Sequence, residues 1–363
     1  MNTKIIKIDG ECRPEDLSEA AEFIRSGKLV AFPTETVYGL GGNAYDSSAS
    51  ARIYAAKGRP SDNPLIVHIS EFSEITPLVS AIPEEAVRLA DRFWPGPLTM
   101  ILTKSDRVPK ETTGGLDTVA IRMPSHRIAN MLIKEAGIPI AAPSANASGR
   151  PSTTKAEHVI EDLFGKIDMI IDGGSSDIGL ESTIVDLTVS PPLILRPGYI
   201  TCEMLKEVLP DIEYDKAVLK RQKDENIVAK APGMKYRHYA PKGELTIFEG
   251  EIKSVCKAVK DAAGQKLKAG CKVGILTSEE LSDGYRALSE EYGTKLTLIN
   301  IGSRENEEVV AAHLFDALRS FDREEAEFIY AESFDSANIG QAIMNRLMKA
   351  AGYHIVSLDD HNS

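Results

Sequence analysis

The sequence predicts an α/β fold in two domains. Its 363 residues exceed the usual size of a single domain. Short apolar runs of strand length alternate with segments whose apolar residues recur at helical spacing, a pattern typical of sheets covered by helices. Because this alternation breaks down between Asp211 and Lys242, we expect a first domain over residues 1–210, a linker over 211–243 and a second, smaller α/β domain over 244–363.

The first domain begins with a predicted helix in residues 15–26, followed by the strand-like run KLVAF (28–32). Further runs of strand length and composition follow along this domain. They are LIVHI (65–69), LTMIL (98–102), TVAIRM (118–123), IPIAA (138–142), DMIID (168–172), STIVDL (182–187) and PLILR (192–196). Helical segments lie between several of them, which predicts a layered α/β structure.

The second domain alternates four strand-like runs with four helical segments. The strands are ELTIF, KVGIL, LTLINI and EFIYAE, which is the order expected of a small, Rossmann-like parallel sheet. Its first strand is not followed by G-x-G-x-x-G, so dinucleotide binding is not supported. The preceding linker is basic, with eight Lys or Arg against two acidic residues between positions 216 and 242.

Composition narrows the class of protein. The net charge of −12 argues against a chain that coats nucleic acid nonspecifically, although a local basic patch is compatible with it. Four scattered cysteines indicate neither a disulfide framework nor a structural zinc site. No apolar run is long enough for a membrane span or a signal peptide. We therefore expect a cytoplasmic protein with reduced thiols.

The segment around residues 39–59 combines glycines with two cations. Gly39, Gly41 and Gly42 follow a predicted strand and precede a helix with Asp46 as N-cap and Gly58 as C-cap. Lys57 and Arg59 therefore lie where this helix ends. Taken alone, such cations are most simply explained by the negative end of the helix dipole.

Other polar side chains cluster at strand ends. In TVAIRM, alternation places Ala120 and Arg122 opposite the apolar face, and Arg196 ends PLILR. The loop PSANASGRPS offers small hydroxyl and amide groups, including Ser144, Asn146 and Ser152. Each feature alone has an ordinary explanation as surface charge or turn, and His68 in LIVHI as a packed residue. Several arginines converging on one sheet would form an anion site.

Familiar catalytic motifs are absent. The sequence has no Walker A, H-E-x-x-H or G-x-S-x-G motif, and no carboxylate cluster suited to a metal held by protein alone. If the protein uses a nucleotide, Mg²⁺ is expected to arrive with the phosphates.

The order of these motifs resembles the threonylcarbamoyl-AMP synthase family, the YrdC-like proteins. The similar segments are PTETVYGLG, KGRPSDNPLIVHI, WPGPLTMIL, VAIRMP, PIAAPSAN, SGRPS, ESTIVD and LRPG, which span roughly residues 10–200. The basic linker with APGMKYRHYAPK and the following domain further resemble the long, two-domain branch. The resemblance implies a twisted sheet around a large concave cavity, and an enzyme that condenses L-threonine, bicarbonate and ATP into threonylcarbamoyl-adenylate and pyrophosphate.

The resemblance also assigns site residues. Lys57 and Arg59 would be catalytic through phosphate neutralisation and binding. The nucleotide, with its Mg²⁺, would contact Arg59, Asn63, Thr118, Ser144, Asn146, Ser152, Arg196, Tyr236 and His238. Threonine would contact Thr36, His68, Arg122, Ala142 and Ser182, with Arg122 as the partner of its carboxylate and His68 as the one candidate base. The linker would close over the cavity as a lid.

Two further expectations concern partners. The product would pass to a tRNA threonylcarbamoyl transferase system for modification of ANN-decoding tRNAs, with at most a weak contact between this protein and RNA. The alternative function is a non-catalytic module that binds double-stranded RNA or tRNA through the same cations. The small neutral residues of PSAN and ESTIVD, and the scarcity of interleaved aromatic residues, favour a small-molecule pocket.

Overall fold

The computed structural model describes residues 2–219, 231–232 and 238–358. These residues form two compact units. Of the described residues, 2–148, 152–219 and 231–232 belong to the first unit, and 149–151 and 238–358 belong to the second. The domain boundaries at residues 210 and 243 that the sequence suggests stay predictions.

The first unit is built on an eleven-stranded mixed sheet with the order β1-β8-β2-β3-β7-β4-β6-β5-β9-β10-β11. The strands are β1 (Lys4–Lys7), β2 (Val30–Phe32), β3 (Gly39–Asn43), β4 (Ile66–His68), β5 (Leu98–Thr103), β6 (Thr118–Arg122), β7 (Ile140–Ala141), β8 (Met169–Asp172), β9 (Thr183–Asp186), β10 (Leu193–Arg196) and β11 (Glu213–Tyr214). Every strand predicted for the first domain has a counterpart here, and β1, β3 and β11 were not predicted.

Helices cover this sheet and supply its core. They are α1 (Pro14–Arg25), α2 (Ser47–Lys57), α3 (Glu84–Phe93), α4 (Arg127–Ala136), α5 (Ala156–Leu163), α6 (Cys202–Lys206) and α7 (Lys216–Leu219), with a 3₁₀ helix at Phe72–Leu78. The predicted caps of α2 are confirmed: Oδ1 of Asp46 accepts from the Ser48 amide at 2.8 Å, and Gly58 adopts a left-handed φ of 62°.

The glycines of the YGLGG segment, to which the sequence assigned no element, lie in a strand. They form β3, which pairs antiparallel with both β2 and β7. A Cβ atom at Gly41 would lie 2.7 Å from Cε1 of Phe32 and 2.8 Å from Cγ2 of Ile140. Glycine is therefore required here by close packing between strands rather than by a turn.

The second unit has a five-stranded parallel sheet with the order β14-β13-β15-β12-β16. Its strands are β12 (Glu244–Glu249), β13 (Val273–Thr277), β14 (Leu296–Asn300), β15 (Phe328–Glu332) and β16 (Ile355–Ser357). Its helices are α8 (Ile252–Lys268), α9 (Glu279–Ser282), α10 (Arg286–Tyr292), α11 (Glu307–Arg323) and α12 (Gly340–Ala350), with short 3₁₀ turns at Asp283–Tyr285 and Gly293–Lys295. The predicted α/β class is confirmed, and β16 was missed.

Candidate functional site

Five adjacent strands of the first unit carry the polar residues of the site. In the sheet, β7, β4, β6, β5 and β9 are neighbours, and the register pairs His68 with Arg122 and Arg122 with Thr99. Paired residues project to the same side of a sheet, as do residues two apart in a strand. His68, Arg122, Thr99 and Ser182 therefore share one face, which we call the site face.

Strand β6 carries predicted contacts for both substrates on this face. Thr118, Ala120 and Arg122 alternate with the buried Val119 and Ile121, which pack in the main core on the other side. The predicted orientation of Arg122 is thus confirmed. Thr118 and Arg122 lie at opposite ends of the strand, roughly 13 Å apart at the usual rise per residue.

Arg122 forms a buried ion pair with Glu35. Nη2 of Arg122 lies 2.8 Å from Oε1 of Glu35, and both side chains are more than nine-tenths buried. The distance is that of an ion pair, but the N–H bonds of Nη2 are not aligned with the oxygen, and neither Nη2 nor Nε of Arg122 has a hydrogen-bond partner. Nη1 of Arg122 donates to Oγ1 of Thr36 at 2.8 Å. The turn between β2 and β3 therefore fixes the guanidinium.

Glu35 is held as a carboxylate. Burial works to raise the pKa of its carboxyl group, but the charge of Arg122 and the hydrogen bond from the Ser125 amide outweigh burial and keep that pKa below its ordinary value. The Ser125 amide donates to Oε1 at 3.2 Å, and the Glu35 carbonyl accepts from the Ile178 amide at 2.8 Å. Oε2 of Glu35 is buried and has no hydrogen-bond partner.

His68 is a neutral side chain in this environment. Its Nδ1 lies 3.1 Å from the carbonyl oxygen of Ile66, so it donates its proton there. Burial, and then the charge of Arg122, lower the pKa of His68 to about 3. A base of such low pKa accepts a proton poorly at neutral pH. The arrangement therefore suits a packed hydrogen-bonding group better than the predicted base.

Ser182, which is predicted to bind threonine, contacts Arg196, which is predicted to bind ATP. Its hydroxyl lies 2.7 Å from Oγ1 of Thr99 and accepts from Nη2 of Arg196 at 3.1 Å. Nε of Arg196 also donates to the Ser182 carbonyl at 3.0 Å. Arg196, at the end of β10, is thus directed onto the start of β9. Two residues predicted to bind different substrates lie in direct contact.

Lys57 anchors the loop that follows β7. Its side chain is buried, and Nζ donates to the carbonyl oxygens of both Ser144 and Asn146. The Ser144 hydroxyl donates to Oδ1 of Asn146, and Nδ2 of Asn146 donates to the Ala147 carbonyl at 2.8 Å. The predicted cation and the two predicted loop residues therefore form one hydrogen-bonded group. Contact of Lys57 with phosphate stays a prediction.

The remaining nucleotide-binding predictions fall in two further groups. Nε and Nη2 of Arg59 donate to the carbonyl oxygens of Asn63 and Pro64 at 3.2 and 3.1 Å. Oδ1 of Asn63 is buried without a hydrogen-bond partner, so it can accept one from a ligand. The hydroxyl of Ser152 donates to Oε1 of Glu181 at 2.5 Å, and both residues are buried.

Of the two linker residues predicted to contact the nucleotide, the structure describes His238 and not Tyr236. Tyr236 lies outside the described residues. His238 is half-buried in the second unit, with its ring 5.6 Å from that of Tyr239. Ala231 is fully buried in the first unit, against Ile66, Ile101, Ala120, Ile184 and Leu195. The first four of these residues lie on the site face, so the chain returns to this face at Ala231.

Within the described ranges, no group of three or more His, Cys, Asp or Glu side chains is placed to hold a metal ion. In the same part of the chain, no helix is long and apolar enough to cross a membrane.

Comparison with known proteins identifies the family. A family model described as telomere recombination matches residues 22–198, and one described as threonylcarbamoyl-AMP synthase, C-terminal domain, matches residues 200–352. The threonylcarbamoyl-AMP synthase of Pyrococcus abyssi is 49% identical over 98% of this chain and 100% of its own length. This chain belongs to the threonylcarbamoyl-AMP synthase family. The predicted family and the prediction of an enzyme are confirmed.

Two further relatives agree over nearly the whole chain. The threonylcarbamoyl-AMP synthase of Bacillus subtilis is 49% identical, with 94% of each chain covered. A crystal structure of Pyrococcus abyssi Sua5 complexed with L-threonine superposes with a TM-score of 0.90 at 48% identity, covering 98% of this chain and all of that one. The family likeness therefore extends to both units.

The main residue that the sequence prediction missed is Glu35. It stands inside the PTET segment used to identify the family, but a glutamate in a turn carries no signal of burial. Its pairing with Arg122 spans 87 positions, since 122 − 35 = 87, and only the folded chain brings them together. Thr99 and Glu181 were missed for the same reason.

Proposed function

We propose that this protein is a threonylcarbamoyl-AMP synthase that condenses L-threonine, bicarbonate and ATP into threonylcarbamoyl-adenylate and pyrophosphate. The observation that supports this most is the pair of arginines held at the site face, where Arg122 donates to Thr36 at 2.8 Å and Arg196 donates to Ser182 at 3.1 Å. Family membership over the whole chain supplies the reaction class.

Threonine would bind at the end of β6. The guanidinium of Arg122 retains N–H groups without hydrogen-bond partners, and such groups match a carboxylate. Thr36, His68, Ala142 and Ser182 would complete this site. In support, Thr36 accepts from Arg122, His68 pairs with Arg122 across β4 and β6, the Ala142 amide donates to the Ile66 carbonyl, and Ser182 contacts Thr99. The neutral His68 adds hydrogen-bonding capacity without a second positive charge.

ATP would bind along the same face toward Thr118 and Ser144. Its roughly four negative charges need several fixed cations and hydroxyl groups when no Walker loop is present. Arg59, Arg196 and the loop anchored by Lys57 supply them, together with Asn63, Asn146 and Ser152. Mg²⁺ would arrive with the phosphates and neutralise part of their charge. The carboxylate of Glu181 already accepts a hydrogen bond from Ser152.

The reaction would proceed in two steps. The threonine amine attacks the carbon of bicarbonate, forming an N–C bond as the elements of water leave. A carbamate oxygen then attacks the α-phosphorus of ATP, and pyrophosphate leaves. With His68 neutral and weakly basic, acceleration would come chiefly from positioning and from stabilisation of phosphate charge. The product would then pass to a tRNA-modifying transfer system.

The functional test is pyrophosphate release by the purified full chain with ATP, Mg²⁺, bicarbonate and L-threonine, each omitted in turn. We expect release to require both threonine and bicarbonate and to be lost in Arg59→Ala, while Arg107→Ala, a change at an exposed arginine, keeps the wild-type rate. Salt-sensitive tRNA binding without any threonine-dependent release would instead support the RNA-binding alternative.

The linker would act as a lid over the first unit. The support for this proposal is Ala231, which packs on apolar residues of the site face. A lid that excludes water would protect the mixed anhydride of the product from hydrolysis. Deleting 231–240 should lower the yield of intact adenylate at least several-fold relative to pyrophosphate released, measured by chromatography. An unchanged ratio of adenylate to pyrophosphate would contradict the lid.

A further inference from the structure

We infer that Glu35 recognises the α-ammonium group of the amino-acid substrate through Oε2, while its Oε1 holds Arg122. The inference rests on the proposed threonine site and names a specificity-determining residue within it.

The first observation is an unsatisfied buried carboxylate oxygen. Oε1 of Glu35 has two partners, Nη2 of Arg122 at 2.8 Å and the Ser125 amide at 3.2 Å, whereas Oε2 has no hydrogen-bond partner. Only 7% of the Glu35 side chain is exposed. Buried polar atoms are almost always hydrogen-bonded, because an unmet acceptor loses its hydration without compensation. Oε2 therefore has the character of a ligand-binding atom.

The second observation is that the adjacent cation is also incompletely satisfied. Nε and Nη2 of Arg122 are buried without hydrogen-bond partners, next to Glu35. In an α-amino acid the ammonium and carboxylate groups are attached to the same carbon, so their protein partners must lie side by side with opposite charges. Glu35 and Arg122 meet this requirement, because Oε2 of Glu35 accepts no hydrogen bond and Nε of Arg122 donates none.

The third observation concerns charge. Glu35 is ionised in the fold, since Arg122 keeps its pKa below the ordinary range. A carboxylate that accepts from an ammonium group forms a charge-assisted hydrogen bond, which is about twice as strong as a neutral one. A hydroxyl group in the place of the ammonium would lose this advantage. Glu35 would thus select amino acids over the corresponding 2-hydroxy acids.

The experiment compares two ligands on the full chain by isothermal titration calorimetry. The ligands are L-threonine and (2S,3R)-2,3-dihydroxybutanoate, which keeps the carboxylate and the side chain but replaces the amine with a hydroxyl. The quantity compared is the Kd of the hydroxy acid divided by the Kd of L-threonine. We expect this ratio to fall by about 10- to 100-fold in Glu35→Gln relative to wild type. The control Glu22→Gln removes an exposed carboxylate paired with Arg25 at 2.9 Å and should leave the ratio unchanged.

The ratio separates recognition from positioning. If Glu35 only positions Arg122, both ligands weaken together in Glu35→Gln and the ratio stays at its wild-type value, which would overturn the inference. If Glu35→Gln does not fold, Glu35→Asp keeps the charge but withdraws it by one methylene. The ratio must fall there as well, and an unchanged ratio in that variant also overturns the inference.

The two proposals fail differently. Wild-type protein that binds neither ligand would refute the threonine site itself and, with it, the role of Glu35. Wild-type protein that prefers L-threonine, with the same preference in the Glu35 variants, would leave the proposed function intact and refute only the assignment of Oε2.

Discussion

Replacing Lys57 by methionine is expected to lower kcat/KM for ATP in pyrophosphate release by about 10²- to 10³-fold, the usual effect of removing a preorganised electrostatic group. Nζ of Lys57 is the shared donor to the carbonyl oxygens of Ser144 and Asn146. Methionine fills a similar volume but cannot donate, so the loop loses its anchor. The Kd for L-threonine, measured by calorimetry, should stay near the wild-type value.

A second substitution separates two roles of Lys57. Lys57→Gln keeps a hydrogen-bond donor for the loop and removes the charge. If the anchor accounts for most of the effect, this variant recovers at least about ten-fold of the activity lost in Lys57→Met, the difference that one retained hydrogen bond of about 1.4 kcal/mol would make. Equal losses in both variants would mean that Lys57 acts through its charge on the phosphates. Lys110→Met, at an exposed lysine, is the matched control.

Much of the fold could be predicted because its strands are locally recognisable. Runs such as LTMIL and TVAIRM have the length and composition of buried strands, and alternation placed Arg122 opposite Ile121 correctly. Strand β3 could not be predicted in this way, since GLGGN lacks the β-branched and aromatic residues typical of strands. Its glycines are explained only by the side chains of Phe32 and Ile140 on neighbouring strands.

The site was predictable in its cations but not in its pairings. Arginines at strand ends and a Ser-x-Asn loop can be found in a sequence, and family likeness assigns them to substrates. The contacts between them depend on strand order, which local sequence does not determine. Arg196 meets Ser182, and Lys57 meets Ser144, only because the eleven strands are arranged as they are. Glu35 could not be predicted for the same reason, because its role depends on its contact with Arg122.

Replacing Arg122 by methionine is expected to lower the free energy of unfolding by about 3–5 kcal/mol, the usual result of leaving one charge of a buried pair uncompensated. Glu35 is the charge left behind, and Thr36 keeps a partner in Oγ1 of Thr34 at 2.9 Å. Threonine-dependent pyrophosphate release should fall below detection in the same variant. Urea unfolding and the release assay measure the two effects separately.

The double variant Arg122→Met/Glu35→Met tests whether the ion pair serves the stability of the fold or the binding of substrate. Because desolvation of two charges offsets much of their attraction, replacing both by apolar side chains of similar volume should restore most of the stability lost in Arg122→Met. Activity should not return, since the groups proposed to bind the carboxylate and ammonium of threonine are both gone. If the double variant loses as much stability as Arg122→Met and the single variant Glu35→Met lose together, the pair is not coupled in the fold. Recovered stability without recovered activity would mean that this buried ion pair is retained for substrate binding rather than for the stability of the sheet.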